Sequence, residues 1–131
     1  MTRIALVMHE PLGAAFAACA EHVLGKAPDL IVFDVGPDAK PEAEAERLLE
    51  AMRAGGSTEP VLILCDLYGA TPFNIATEAL HLAAEHGILS HLITGTNACM
   101  VLKALTERQD NPEALTESVR LGALRGIVNA D

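Results

Sequence analysis

The chain has 131 residues, 50% of them hydrophobic and 21% charged, which suits one globular domain spanning 1–131 and hardly two. Nine Lys and Arg against eighteen Asp and Glu leave a formal charge of −9, the wrong sign for neutralising nucleic-acid phosphates or anionic lipid and the right one for basic protein partners. Cys19, Cys65 and Cys99 are odd in number and form no Cys-x-x-Cys pair, so they read as small buried hydrophobes rather than as a disulfide framework or a zinc site.

The first apolar run, Ile4–Met8, is a strand candidate and too short for a signal peptide. Apolar residues at three- and four-residue intervals over Ala14–Leu24 predict a helix, Leu30–Val35 a second strand, and Pro41–Ala54 a second helix whose Glu42, Glu44, Glu46 and Glu50 mark a solvated face. After the Gly55-Gly56-Ser57 loop come strand Val61–Cys65, helix Pro72–His86, strand Ile88–Ile93 and helix Asn97–Arg108. Asn111-Pro112 opens a last helix, Glu113–Leu124, and Gly126–Asn129 is a short strand candidate. Continuous apolar strands alternating with amphipathic helices call for a mostly parallel sheet covered by helices on both faces. No run approaches the ~20 apolar residues of a membrane span. A reduced, cytoplasmic protein is expected.

In such a sheet, ligands bind beyond the carboxyl ends of the strands. Those ends read Met8-His9-Glu10-Pro11, Asp34-Val35-Gly36, Asp66-Leu67-Tyr68-Gly69-Ala70-Thr71 and Thr94-Gly95-Thr96-Asn97. His9 carries the one side chain whose ordinary pKa lies near neutrality, so it can serve as base, nucleophile or phosphoryl acceptor. His22, His81, His86 and His91 lie in or beside helical patterns or within a strand and read as surface or packing residues. Asp66 falls on the same edge as His9 if the first and third strands are neighbours, where a carboxylate fixes one ring nitrogen and frees the other. In Gly69-Ala70-Thr71-Pro72-Phe73-Asn74, Thr suits an N-cap and Pro the first helical position, and the N–H groups of a helix start behind a glycine suit phosphate. A response-regulator receiver, which would also place an Asp after strand three, is disfavoured. Met8-His9 stands where it needs an acidic pair, and Thr94–Asn97 contains no lysine.

Three segments, Ile4–His9, Val61–Asn74 and Thr94–Met100, occur in the order and spacing of one family. The chain resembles the mannose-type (mannose/fructose/sorbose class) IIA component of the bacterial phosphoenolpyruvate-dependent sugar phosphotransferase system. The resemblance implies a doubly wound three-layer α/β/α fold of four parallel strands, plus a C-terminal antiparallel strand, Gly126–Asn129, exchanged in a homodimer. It implies a phosphohistidine carrier, a phosphotransferase that takes a phosphoryl group from the phosphocarrier protein HPr on His9 Nε2, with Nδ1–H held by Asp66. Gly69, Ala70, Thr71 and Asn74 are the implied phosphoryl cradle, and no metal or organic cofactor is implied. With the sequence stopping at Asp131, the acceptor is expected to be a separate IIB protein or a regulatory target, with only indirect association with a membrane permease. Two alternatives are the phosphoryl donor subunit of a dihydroxyacetone kinase, whose glycine-rich segment should differ from Ala70–Asn74, and a non-catalytic dimeric α/β binding module. Two departures from the family pattern stand out: Glu10-Pro11 follows the histidine where a small residue is common, and Cys99 stands where Pro is common. Glu10 puts a like charge near an incoming phosphoryl group, so its side chain is expected to point away, or transfer to be slower.

Overall fold

In the computed structural model, which describes residues 1–109 and 111–131, the elements follow the predicted alternation. They are β1 (Arg3–His9), α1 (Leu12–Leu24), β2 (Ile31–Val35), α2 (Pro41–Met52), a 3₁₀ turn (Ala54–Gly56), β3 (Val61–Cys65), α3 (Thr71–Glu85), β4 (Ser90–Ile93), α4 (Ala98–Glu107) and α5 (Pro112–Arg125). The sheet order is β2-β1-β3-β4 with every pairing parallel. From β1 the chain steps outward to β2, then returns to the other side of β1 to form β3. The crevice between β1 and β3 is therefore the switch point at which open α/β sheets receive ligands.

The two-residue period of the strands divides the core into two layers. Ala5 and Val7 of β1 pack with Phe33, Ile63 and Cys65 beneath Leu48 and Met52 of α2 and Ile75 and Ala79 of α3. Ile4, Leu6 and Met8 face the opposite way, against Ala20 of α1, Met100 and Val101 of α4, and Leu115 and Val119 of α5. Both β1 and β3 are buried from end to end apart from the terminal Arg3 and His9, as their uninterrupted apolar runs require. His9 continues the odd series, so its side chain emerges on the α2 and α3 side of the sheet.

The expected antiparallel C-terminal strand is not present: among the described residues the sheet has four strands, all parallel. Gly126 continues the helical path of α5, its N–H donating to the Gly122 and Ala123 carbonyls at 3.2 Å, and Ile127 N–H closes a further turn on Leu124 O at 3.2 Å. The chain leaves along the helix end instead of reaching a sheet edge, so Ile127 and Val128 stay 74% and 70% exposed. β-branched residues favour a strand only where a partner strand is present to pair with. The cysteine reading also needs correction, since Cys65 is buried but Cys19 and Cys99 are exposed on helix surfaces.

Candidate active site

His9 ends β1 and Asp66 follows β3 directly, and the β1–β3 pairing brings them together. His9 Nδ1 lies 2.7 Å from Asp66 Oδ2, and the same oxygen accepts the His9 backbone N–H at 3.0 Å. Asp66 Oδ1 accepts the Leu67 N–H at 2.9 Å. Burial pushes the Asp66 carboxyl up, but the hydrogen bonds from His9 and Leu67, with the charge His9 can carry, outweigh it and hold the group below the usual carboxylate range. An ionised carboxylate only accepts. Nδ1 therefore carries the proton that it donates, and Nε2 is left with a lone pair. The exposures fit these parts: 8% for the Asp66 side chain against 47% for His9.

Asp66 is itself held from behind. Its carbonyl accepts the Gly95 N–H at 3.1 Å. The preceding Cys65 carbonyl accepts both the Thr96 N–H at 3.2 Å and the Thr96 hydroxyl at 2.6 Å. Gly95 has φ +75°, a left-handed conformation that glycine adopts without strain and that turns the loop back onto β3. Asn97 then caps α4, accepting the Met100 N–H at 2.9 Å, and donates to Ala123 O of α5 at 3.0 Å. The sequence places this loop on the polar edge without revealing what it does. Its signal was a Thr-Gly-Thr-Asn segment directly after a strand.

His9 opens on a cleft of about 400 Å³ lined by Glu10, Thr71 and residues between Val35 and Pro41 of the β2–α2 connection. Pro37, Ala39 and Pro41 in that wall went unrecognised in the sequence, having no chemistry of their own. Thr71 is not the N-cap. Ala70 takes that position in extended conformation without a side-chain bond, and Thr71 opens α3 with its side chain left to the cleft. The first closed helical bond runs from Asn74 N–H to Ala70 O at 3.0 Å, so the N–H groups of Thr71 and Phe73 lie ahead of the ladder. Gly69, at φ +79°, makes the turn into the helix. Asn74, one turn on, lines a neighbouring depression with Pro41, Glu42 and Glu78 rather than the His9 cleft. Tyr68, 81% exposed, leans on Phe73 with ring centroids 4.9 Å apart.

Glu10 does not point away. It lines the same cleft as His9, with Oε2 3.4 Å from where a Cβ on Gly36 would sit. Asp34, near the end of β2, serves the fold instead. Its carboxylate accepts the Gly13 and Ala14 N–H groups at 2.8 and 3.1 Å, capping α1 in place of Pro11. A Cβ on Gly13 would overlap that carboxylate. Burial, then the Asp66 charge, pushes the Cys65 thiol up to about 12, so it stays protonated beside the site. Among the described residues no group of three or more His, Cys, Asp or Glu side chains is placed to hold a metal ion.

A family model described as EIIA-man, PTS system fructose IIA component, matches residues 3–120. The chain belongs to this family. It is a mannose/fructose/sorbose-class EIIA domain, and with membership comes the family's general activity, a phosphorelay step in the sugar phosphotransferase system. Among solved structures it is similar to the EIIA component from Streptococcus agalactiae, with TM-score 0.84 at 22% identity over 98% of this chain and 97% of that one. It is also similar to the mannose/sorbose specific IIA subunit from Enterococcus faecalis, with TM-score 0.84 at 20% identity over 99% and 95%. A sigma-54 interaction domain protein from Enterococcus faecalis matches at TM-score 0.79 and 17% identity over 95% and 92%. These likenesses are of fold. No curated protein matches the chain, and no described helix is long and apolar enough to cross a membrane.

Proposed function

We propose that His9 is the phosphoryl carrier of this EIIA domain, loaded by phosphorylated HPr in the cytoplasm and discharged to a separate IIB protein or a regulatory target. The observation that carries the reading is the 2.7 Å contact between His9 Nδ1 and Asp66 Oδ2, which leaves Nε2 as the nucleophilic atom of a half-exposed ring. In the transfer, the Nε2 lone pair attacks phosphorus from the side opposite the donor's P–N bond. The Nε2–P bond forms as the donor bond breaks, and the departing electron pair returns to the donor's ring nitrogen. The His9 ring, now substituted at both nitrogens, gains positive charge, which the Asp66 carboxylate offsets without a proton leaving Nδ1. Transfer between two imidazoles depends on positioning and on stabilising the moving charge. The Thr71 hydroxyl and the N–H groups at the start of α3, with the turn at Gly69 and Ala70, supply hydrogen-bond donors for the phosphoryl oxygens. Asn74 serves the rim rather than the cradle.

The net charge of −9 favours a donor that presents a basic face, an effect mainly on encounter rate. Intact-mass spectrometry after incubation with phosphoenolpyruvate, enzyme I and HPr tests the reading. The wild type is expected to gain one acid-labile phosphoryl group and His9→Ala none. An unmodified wild type beside phosphorylated HPr would remove the proposal.

A further inference from the structure

We infer that Glu10 sets the phosphoryl-transfer potential of this carrier, by placing an uncompensated negative charge in the cleft that receives the phosphoryl group. The inference rests on His9 being the carrier. Glu10 and His9 line one cleft, and the Glu10 carboxylate lies against Gly36 on the wall formed by the β2–α2 connection. Among the described residues no cationic side chain pairs with it. Asp66 behind the ring is committed to His9 and Leu67, and Asp34 to the first turn of α1, while Asp38 and Lys40 of the β2–α2 connection do not line the cleft. Glu10 is thus the one acidic group of the cleft lining with no donor to balance it, while the wall opposite offers the Thr71 hydroxyl and the start of α3.

A phosphoryl group on Nε2 brings one to two negative charges into this space, and a neighbouring carboxylate disfavours it by like-charge repulsion. For charges sharing one cleft, at an effective dielectric between protein-surface and water values, the repulsion amounts to roughly a three- to tenfold bias against the phosphorylated state. The unphosphorylated protein feels none of it. Glu10 therefore makes phospho-His9 a readier donor to the next protein and unphosphorylated His9 a poorer acceptor from the last. Repulsion also makes the second ionisation of the bound phosphoryl group harder, so it titrates at higher pH than it would beside a neutral side chain.

Phosphorus NMR at low ionic strength, on mixtures of HPr with wild-type, Glu10→Gln or Glu10→Asp protein, reads both effects. Glu10→Gln is expected to shift the equilibrium toward the phosphorylated chain by roughly three- to tenfold and to lower the pH at which the phosphoryl signal titrates. Glu10→Asp is expected to stay near wild type, and added salt to shrink the difference. Equal equilibrium constants and titrations for wild type and Glu10→Gln would overturn the inference and leave the carrier intact. A changed transfer rate at an unchanged equilibrium would also overturn it, placing Glu10 instead in partner docking. A wild type that takes up no phosphoryl group would overturn the carrier reading together with this one.

Discussion

Replacing Asp66 by Asn removes one charge and almost no volume. Asp66 Oδ2 accepts both the His9 backbone N–H and Nδ1–H, and Oδ1 accepts the Leu67 N–H. An Asn side chain offers one acceptor oxygen and an NH₂ group, so either the His9 donors or the Leu67 donor must face another donor. If the oxygen keeps the His9 side, the ring tautomer survives but the carboxylate that offsets the developing ring charge is gone. If the NH₂ takes that side, the ring rotates or moves its proton to Nε2 and loses the attacking lone pair. A hydrogen bond to a charged group contributes about 1.5–3 kcal/mol, which corresponds to roughly 10- to 100-fold in the rate of phosphoryl uptake. Rapid-quench measurement of transfer from phosphorylated HPr checks the rate, and ¹⁵N NMR of the His9 ring checks the tautomer: Nδ1–H in the wild type, changed or mixed in Asp66→Asn. Uptake within threefold of wild type, or a wild-type ring protonated at Nε2, would refute the reasoning.

The same contacts carry a pH signature. Since Asp66 is held below its ordinary value in the folded state, its contribution to stability is fully present above its unfolded value near pH ~4 and is lost as pH falls through the lower folded value. Denaturant titrations should show an advantage of wild type over Asp66→Asn at neutral pH that closes as pH falls below about 4; an advantage that keeps growing below about pH 4 would contradict the assignment. Thr96→Val deletes the hydroxyl donor to the Cys65 carbonyl while the backbone donor remains, and should cost about 1 kcal/mol in urea unfolding, with Thr96→Ser recovering most of it. Gly13→Ala forces a methyl group into the carboxylate that caps α1 and should cost roughly 1–3 kcal/mol, seen as a lowered Tm; an unchanged Tm would show that Asp34 can move aside freely.

The apolar runs made β1 and β3 legible because strands covered on both faces need no alternation. Their polar ends then pointed to His9 and Asp66, which lie 57 positions apart and hydrogen-bond only because the strands are adjacent. Other features depended on contacts that no local pattern encodes. Thr96 reaches the carbonyl of Cys65 across 31 positions, and Asp34 caps a helix 21 positions before it. Thr71 matched an N-cap by residue type, yet the extended backbone at Ala70 starts the helix one residue earlier. Of the two expectations for Glu10, a side chain turned away or a slower transfer, the first fails, because its position across from Gly36 leaves its carboxylate in the cleft. The Ile127-Val128 pair shows the limit of propensity, since among the described residues no strand lies beside them where they leave the end of α5.

Phosphoryl transfer through this domain turns on which atom of which residue carries the group. Long-range ¹H–¹⁵N NMR of the ¹⁵N-labelled, phosphorylated protein reads it directly. Coupling to phosphorus at His9 Nε2, with Nδ1 still protonated, is the predicted result. Coupling at Nδ1, or a phosphoryl group on any other side chain, would contradict the assignment of His9 Nε2 as the carrier.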